Sequence, residues 1–217
     1  MRRAALFDFG GVILTSPFEA FAAYEQRRTL PAGFLRSVNQ TNPDANAWAR
    51  LERSEISIDE FDAAFATESE SLGHRVQGRD VLRLLAGEVR PEMVAAVQWL
   101  HRDPRFVTGL LTNNFLSGPD QHIPAEWAAV LGAFDVVVES SRVGVRKPDL
   151  RFYEIACEEL AIAPTEAVFL DDLGINLKPA AAMGMATVKV VDPLVALGEL
   201  AEHIDVRLED LLGSPPG

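Results

Sequence analysis

Four short stretches of this chain carry residue types that do phosphate or metal chemistry. Asp8 lies in Phe7-Asp8-Phe9-Gly10-Gly11-Val12, a carboxylate on a tight, glycine-rich turn. Thr112, Asn113 and Asn114 follow Leu110-Leu111 and offer a hydroxyl, amides and backbone N–H groups, a set able to cradle a phosphate. Lys147 stands just before Pro148, a residue suited to the first turn of a helix. Asp171 and Asp172 are adjacent, after the apolar Phe169-Leu170. Neighbouring carboxylates repel, a bound divalent cation relieves them, and magnesium prefers oxygen ligands. Each stretch also has a plainer reading. Asp8 would end a strand in a turn, 112–114 would be a hydrogen-bonded turn, Lys147 a solvated cation, and the acidic pair a helix cap.

The elements that must position these residues are legible. Residues 4–7, 107–111, 136–138 and 167–170 are short, continuous and apolar, each followed by polar or turn residues, and 186–191 reads likewise. Parallel strands covered on both faces have that pattern. Helical spacing appears between the later ones, in 91–102 (Met93, Val94, Val97, Leu100) and in 148–160 (Leu150, Tyr153, Ile155, Ala156, Leu160). Residues 178–183 read as a short Ala-rich helix. Strand and helix in alternation predict an α/β fold with a doubly wound parallel sheet. In such a sheet the C-terminal strand ends share one edge, where ligands bind. Asp8, the 112–114 run and the Asp171-Asp172 pair all follow strands, so they converge on one pocket.

Residues 16–85 show no strand pattern. Helical stretches at 18–28 and 58–72 predict an all-helical lobe inserted after the first strand. Asp59 and Glu60 fall in the first turn of the second stretch, where acids favour a helix start. Residues 194–212 read as a closing helix plus a short helical turn, and 214–217 as a frayed tail.

The formal net charge is −12, from 32 acidic against 20 basic residues. Such a surface repels nucleic acid and anionic lipid, so neither is an expected partner, and a phosphate site needs local cations or a metal. No apolar run approaches the roughly 20 residues that span a bilayer. Met1-Arg2-Arg3 and the apolar residues after it faintly imitate a secretory signal, but Asp8 interrupts the run. The single cysteine, Cys157, forms no internal disulfide and reads as a small buried residue. The cytoplasm is the expected compartment.

The order and strand-end placement of the four stretches resemble the haloacid-dehalogenase superfamily, in the subfamily with a helical cap after the first strand. The likeness is carried by 7–14, 110–115, 138–148 and 168–185, with FLDDLGINLKP at 169–179 the most specific. Within the superfamily the chain resembles the phosphatase domains at the N-terminus of soluble epoxide hydrolases and ahead of some acyl-CoA dehydrogenases. The resemblance spans the whole chain, the cap matching least. It implies a core of 1–15 and 87–217 and a cap of 16–86.

The resemblance further implies a magnesium-dependent phosphatase acting on a small phosphorylated metabolite. Asp8 matches the nucleophile that forms an aspartyl-phosphate. Thr112 and Asn113 match residues that hold the phosphoryl oxygens, and Lys147 the lysine that steadies nucleophile and phosphoryl charge. Asp172 matches the direct metal ligand, with Asp171 acting through a water or as a second ligand. Asp8 and the Gly10 carbonyl match the other protein ligands of the magnesium, and Asn176 the residue that orients their loop. Neither monomer nor dimer is favoured.

One departure stands out. Superfamily phosphatases carry a second aspartate two residues after the nucleophile, which protonates the leaving oxygen and activates water. Here that position is Gly10. Its loss predicts a bias toward good leaving groups, such as acyl, aryl or anomeric sugar phosphates; His122 is one candidate substitute acid. Two other functions stay open. Dehalogenases of the superfamily also lack the second aspartate, but they attack carbon without a metal, and the Asp171-Asp172 pair argues against them. A domain that binds a phosphorylated ligand or a protein partner without turnover would not need Asp8. Substrate choice is expected in the cap and in 14–17. The run 39–46 with Trp48 and Arg50 is a candidate contact segment, although Trp48 is expected to pack the cap. His74, His101 and His203 read as surface or helix-end residues.

Overall fold

The computed structural model describes residues 2–85, 87–113 and 125–213. Five strands form the sheet: β1 (Ala4–Phe7), β2 (Val107–Thr112), β3 (Val136–Glu139), β4 (Ala167–Asp171) and β5 (Ala186–Lys189). They lie in the order β3-β2-β1-β4-β5, and every neighbouring pair is parallel. β1 is central, with Phe7 level with Leu110 on one side and Leu170 on the other. The chain order reverses direction at β1, and this places the crevice above it.

The apolar runs are continuous because both sheet faces are covered. Side chains alternate along a strand, so Ala5, Phe7, Val168 and Leu170 join one core cluster, while Ala4, Leu6, Ala167 and Phe169 join the other. The first face is covered by α6 (Pro91–Arg102) and α11 (Pro193–Ile204), which contribute Met93, Val97, Leu100, Leu197 and Leu200. The second is covered by α9 (Leu150–Leu160) and α10 (Gly174–Ala182), with Phe152, Tyr153, Ala156, Leu177 and Ala180. Three short helices complete this part: α7 (Ala125–Leu131), α8 (Ser140–Val143) and α12 (Leu208–Leu212).

Between β1 and α6 lie α1 (Phe18–Arg27), α2 (Phe34–Gln40), α3 (Ala47–Glu52), α4 (Ile58–Ser71) and α5 (Gly78–Arg83). They pack on one another around their own apolar cluster, which includes Phe21, Phe34, Leu35, Phe61 and Phe65. Each such side chain stabilises the lobe by about 1.5–3 kcal/mol through burial. α4 starts as its sequence signals: the Ser57 side chain accepts from the Glu60 N–H, and the Glu60 carboxylate accepts from the Ser57 N–H. Such a cap contributes about 0.5–2 kcal/mol. The two chain segments that join lobe and sheet run side by side. The Thr15 N–H donates to the Glu88 carbonyl at 2.8 Å, and the Arg90 N–H to the Ile13 carbonyl at 2.9 Å.

Strand ends beyond β1 shift by one or two residues, and two helix starts differ from expectation by two residues or more. α9 begins at Leu150, not Pro148, because the Asp149 carboxylate caps it by accepting from the Arg151 N–H. α10 begins at Gly174, four residues before 178, and carries Pro179 inside it. Among the described residues no helix is long and apolar enough to cross a membrane.

Candidate active site

Asp8, Thr112 and Asp171 sit at the C-terminal edge of the sheet because a strand delivers each of them there. Asp8 follows β1, and its N–H still donates to the Leu170 carbonyl at 2.9 Å, so the nucleophile candidate is held in the sheet's own ladder. The chain then turns sharply through Phe9–Ile13. Asp8 Oδ1 accepts from the Phe9 N–H at 2.7 Å, and Gly11 adopts φ +79°. Thr112 is the buried last residue of β2. Asp171 is the last residue of β4 and is fully buried.

Lys147 joins these strands. Its side chain is only 1% exposed, and Nζ lies 2.9 Å from Asp8 Oδ1 and 2.8 Å from Asp171 Oδ2. The ring of Phe169 lies beneath the ammonium, 5.3 Å from Nζ to its centroid. The Lys147 backbone is fixed as well. Its N–H donates to Asn113 Oδ1 at 2.8 Å, and its carbonyl accepts from Asn113 Nδ2 at 2.9 Å. The Asn113 side chain is therefore held on the lysine segment through both its oxygen and its amide nitrogen. Asn114 and His122 lie outside the described residues.

The two adjacent aspartates have different surroundings. Asp171 Oδ1 accepts from the Leu173 N–H at 2.8 Å and from Asn176 Nδ2 at 3.1 Å, and Oδ2 accepts from Lys147 and from Asn176 Nδ2 at 3.0 Å. Both oxygens of Asp171 are thus engaged by protein donors. Asn176 is itself held by Tyr153, whose hydroxyl donates to the Asn176 carbonyl at 2.7 Å. The Asp172 carboxylate instead lies against Gly11, where a Cβ would collide with it. Gly10 differs from Gly11: its φ of −72° and ψ of 129° are ordinary, and among the described residues a Cβ there would meet nothing within 4 Å.

The electrostatics follow from burial. Oxygens of Asp8, Asp171 and Asp172 lie within 4.8 Å of one another. Burial pushes the Asp8 carboxyl up to about 8; Lys147 pulls against this, while Asp171 and Asp172 add to it. Burial and the neighbouring Asp171 push Asp172 up to about 6, against the pull of Lys147 and Arg90. Burial would lower Lys147, but the charges of Asp171 and Asp8 outweigh it and hold the ammonium above its ordinary value. Among the described residues three carboxylates cluster about one lysine, and once ionised they would carry two negative charges in excess, which suits a divalent cation with oxygen ligands.

Some participants had no sequence signal. Gly11 was visible only as the second glycine of a pair, and its contact with Asp172 joins segments far apart in the chain. Glu52 on α3 carries no motif, yet it pairs with Arg146, the neighbour of Lys147. Trp48 packs edge-on against Phe61 at 5.5 Å, as expected, and also donates from Nε1 to Glu52 Oε1 at 2.9 Å. The run 39–46 is largely self-bonded: Asn46 caps α3 through the Ala49 N–H, and its Nδ2 donates to the carbonyls of Asn39 and Thr41. His101 and His203 lie in the last turns of α6 and α11, and His74 is exposed beside Phe34.

A parallel sheet with a carboxylate-bearing turn after its central strand, a buried lysine and a carboxylate cluster frames the site. The chain belongs to the haloacid dehalogenase-like hydrolases, whose family model matches residues 2–184. It is 36% identical over 219 residues to acyl-CoA dehydrogenase family member 10 of Mus musculus, covering 98% of this chain and 19% of that protein. It is 33% identical over 228 residues to bifunctional epoxide hydrolase 2 of Sus scrofa, covering 99% and 41%. The chain therefore spans less than half the length of either relative. A sesquiterpene phosphatase of Aspergillus oryzae is 26% identical over 206 residues, covering 93% of this chain and 96% of that one. Two solved structures share the fold. One is a haloacid dehalogenase-like enzyme from Bacteroides thetaiotaomicron in complex with magnesium and inorganic phosphate (TM-score 0.58, 20% identity, 87% of this chain and 94% of that one). The other is L-2-haloacid dehalogenase from Xanthobacter autotrophicus (TM-score 0.57, 18% identity, 99% and 93%).

Proposed function

We propose that this protein is a magnesium-dependent phosphatase of small phosphorylated metabolites, acting through a phosphoryl-Asp8 intermediate. The observation that carries this reading is the buried Lys147 ammonium bridging Asp8 and Asp171, with Asp172 beside them, an excess of carboxylates over cations. A dehalogenase that attacks carbon has no need of that excess. Asp8, Asp172 and the Gly10 carbonyl would hold magnesium, which when bound supplies positive charge against the phosphoryl oxygens. Asp171, with both oxygens engaged, serves instead to orient Lys147 and the Leu173–Asn176 turn.

An Asp8 carboxylate oxygen attacks phosphorus, the bond to the leaving oxygen breaks, and water then cleaves the aspartyl-phosphate. Lys147 holds the attacking carboxylate and neutralises charge on the transferring group; Thr112 and the Asn113 backbone hold its equatorial oxygens. The helical lobe, residues 16–86, acts as a cap that excludes water over a core of 1–15 and 87–217. With glycine at position 10 the leaving oxygen must depart without a side-chain acid there, which favours acyl, aryl and anomeric phosphates.

The test is phosphate release from 4-nitrophenyl phosphate, with and without magnesium, beside Asp8→Asn. Turnover that requires both the metal and Asp8 is expected. Chloride release from 2-chloropropionate without metal would replace this reading with a dehalogenase. Binding of phosphate with no turnover of any of these substrates would make the domain a ligand-binding module.

The contact between Gly11 and Asp172 gives a sharper check on the metal. Gly11→Ala places a Cβ into the Asp172 carboxylate at a φ of +79°, a conformation costing a non-glycine residue about 1–2 kcal/mol. Magnesium affinity is expected to fall at least about tenfold by calorimetry, the equivalent of about 1.4 kcal/mol. Unchanged affinity would remove Asp172 from the ligand set.

A further inference from the structure

A chain of contacts runs from the core of the helical lobe to the lysine. Glu52, the last residue of α3, is 7% exposed. Its Oε1 accepts from Trp48, which packs on Phe61 and Phe65 inside the lobe. Its Oε2 pairs with Arg146 Nη1, and its backbone carbonyl accepts from Ser140 Oγ at 2.6 Å. Arg146 Nη2 also donates to the Pro43 carbonyl, at 3.0 Å, so two separate lobe segments grip one guanidinium. The next residue is Lys147, whose backbone is clamped from the sheet side by Asn113.

We propose that Glu52 is a positioning residue for Lys147: through Arg146 it fixes the lysine segment from the lobe side, so that Nζ reaches Asp8 and Asp171 when the lobe is seated. The proposal rests on the phosphatase reading for its kinetic consequence. Three features distinguish it from plain docking. The pair is partly to largely buried, with side-chain exposures of 17% for Arg146 and 9% for Glu52, so solvent screens it little. It lies one peptide bond from the residue that bridges the nucleophile. And the Asn113 clamp holds only the backbone of Lys147; the Arg146 carbonyl accepts from the Asp149 N–H at 2.9 Å, but the Arg146 side chain is gripped from the lobe. A displacement of about 1 Å at a reacting group costs up to about 10²-fold in rate.

The test is a double-mutant cycle on magnesium-loaded protein with 4-nitrophenyl phosphate, using Glu52→Gln, Arg146→Gln and the double variant. Glu52→Gln keeps the acceptor for Trp48 and is the gentler change should Arg146→Gln fold poorly. Each single variant is expected to lower kcat about tenfold or more with KM within about threefold, and the double to be no slower than the slower single. Losses that multiply in the double, losses confined to KM, or an unchanged kcat would overturn the proposal. Should the wild type release no phosphate, the phosphatase reading fails by that result alone. The cycle is then read in calorimetric binding of inorganic phosphate with magnesium, where non-additive losses support the positioning role and additive or absent losses overturn it.

Discussion

Gly10→Asp is expected to raise kcat/KM for simple alkyl phosphates by about 10²–10⁴-fold, the usual contribution of a positioned general acid. The described residues leave room for the side chain. The backbone at position 10 is extended at φ −72° and ψ 129°, open to any L-residue, and a Cβ there meets no described atom within 4 Å. The new carboxyl would enter a cluster that already carries excess negative charge. Neighbouring carboxylates raise one another's pKa, which keeps the newcomer protonated and able to donate. Aryl and acyl phosphates, whose leaving groups need little protonation, should gain far less. Steady-state kinetics on one alkyl and one aryl phosphate, for wild type and variant, give the comparison. A folded Gly10→Asp protein with unchanged alkyl turnover would show that protonation of the leaving oxygen is not what limits this enzyme, and the leaving-group bias would fall with it.

Asp8→Asn should abolish turnover and at the same time make the metal-free protein more stable. Burial pushes the Asp8 carboxyl from its ordinary 3.8 up to about 8, even with Lys147 beside it. The folded state then binds the proton more tightly than the unfolded chain. Stability from the neutral carboxyl is complete below the unfolded value and is lost as pH rises through the folded one. An amide never ionises, so it avoids that loss, while Lys147 keeps Asp171 as its partner. In EDTA the melting-temperature gain of Asp8→Asn over wild type should grow from about pH 4 to about pH 8. It should then exceed roughly 2–4 °C, the shift worth about 1 kcal/mol in a chain of this size. Magnesium should reverse the order, because it stabilises only the protein that binds it. A variant less stable than wild type at pH 8 in EDTA would mean that the charge on Asp8 is fully compensated without metal.

The sheet and the convergence of Asp8, Thr112 and Asp171 were legible because buried parallel strands leave continuous apolar runs, and chemistry follows their ends. Boundaries were less legible where a local signal competed. Pro148 suggested a helix start, but the Asp149 carboxylate caps the helix and sets its start at Leu150. Gly174 and Pro179 masked the first turn of α10, which the sheet edge and the Tyr153 hydrogen bond to Asn176 hold in place.

The site shows the same division. Residue type and order alone determined that carboxylates and a threonine–asparagine run would meet at one edge, since parallel strands deliver their ends there; the lysine, which follows no strand, was placed with them only by the family resemblance. They also determined that position 10 would have no side chain. Only tertiary structure decided what each group does there. Asp171 and Asp172 are indistinguishable as a dipeptide, yet an extended chain sends neighbours to opposite sides. One goes into the core against Lys147 and Asn176, and the other against Gly11. Asn113 offered an amide to any ligand, and the fold committed it to the Lys147 backbone. Glu52 has only Trp48 as a partner within helical reach, and its ion-pair partner is Arg146, 94 positions along the chain. Such pairings depend on which surfaces meet once the lobe and the sheet pack, and local sequence holds no record of that.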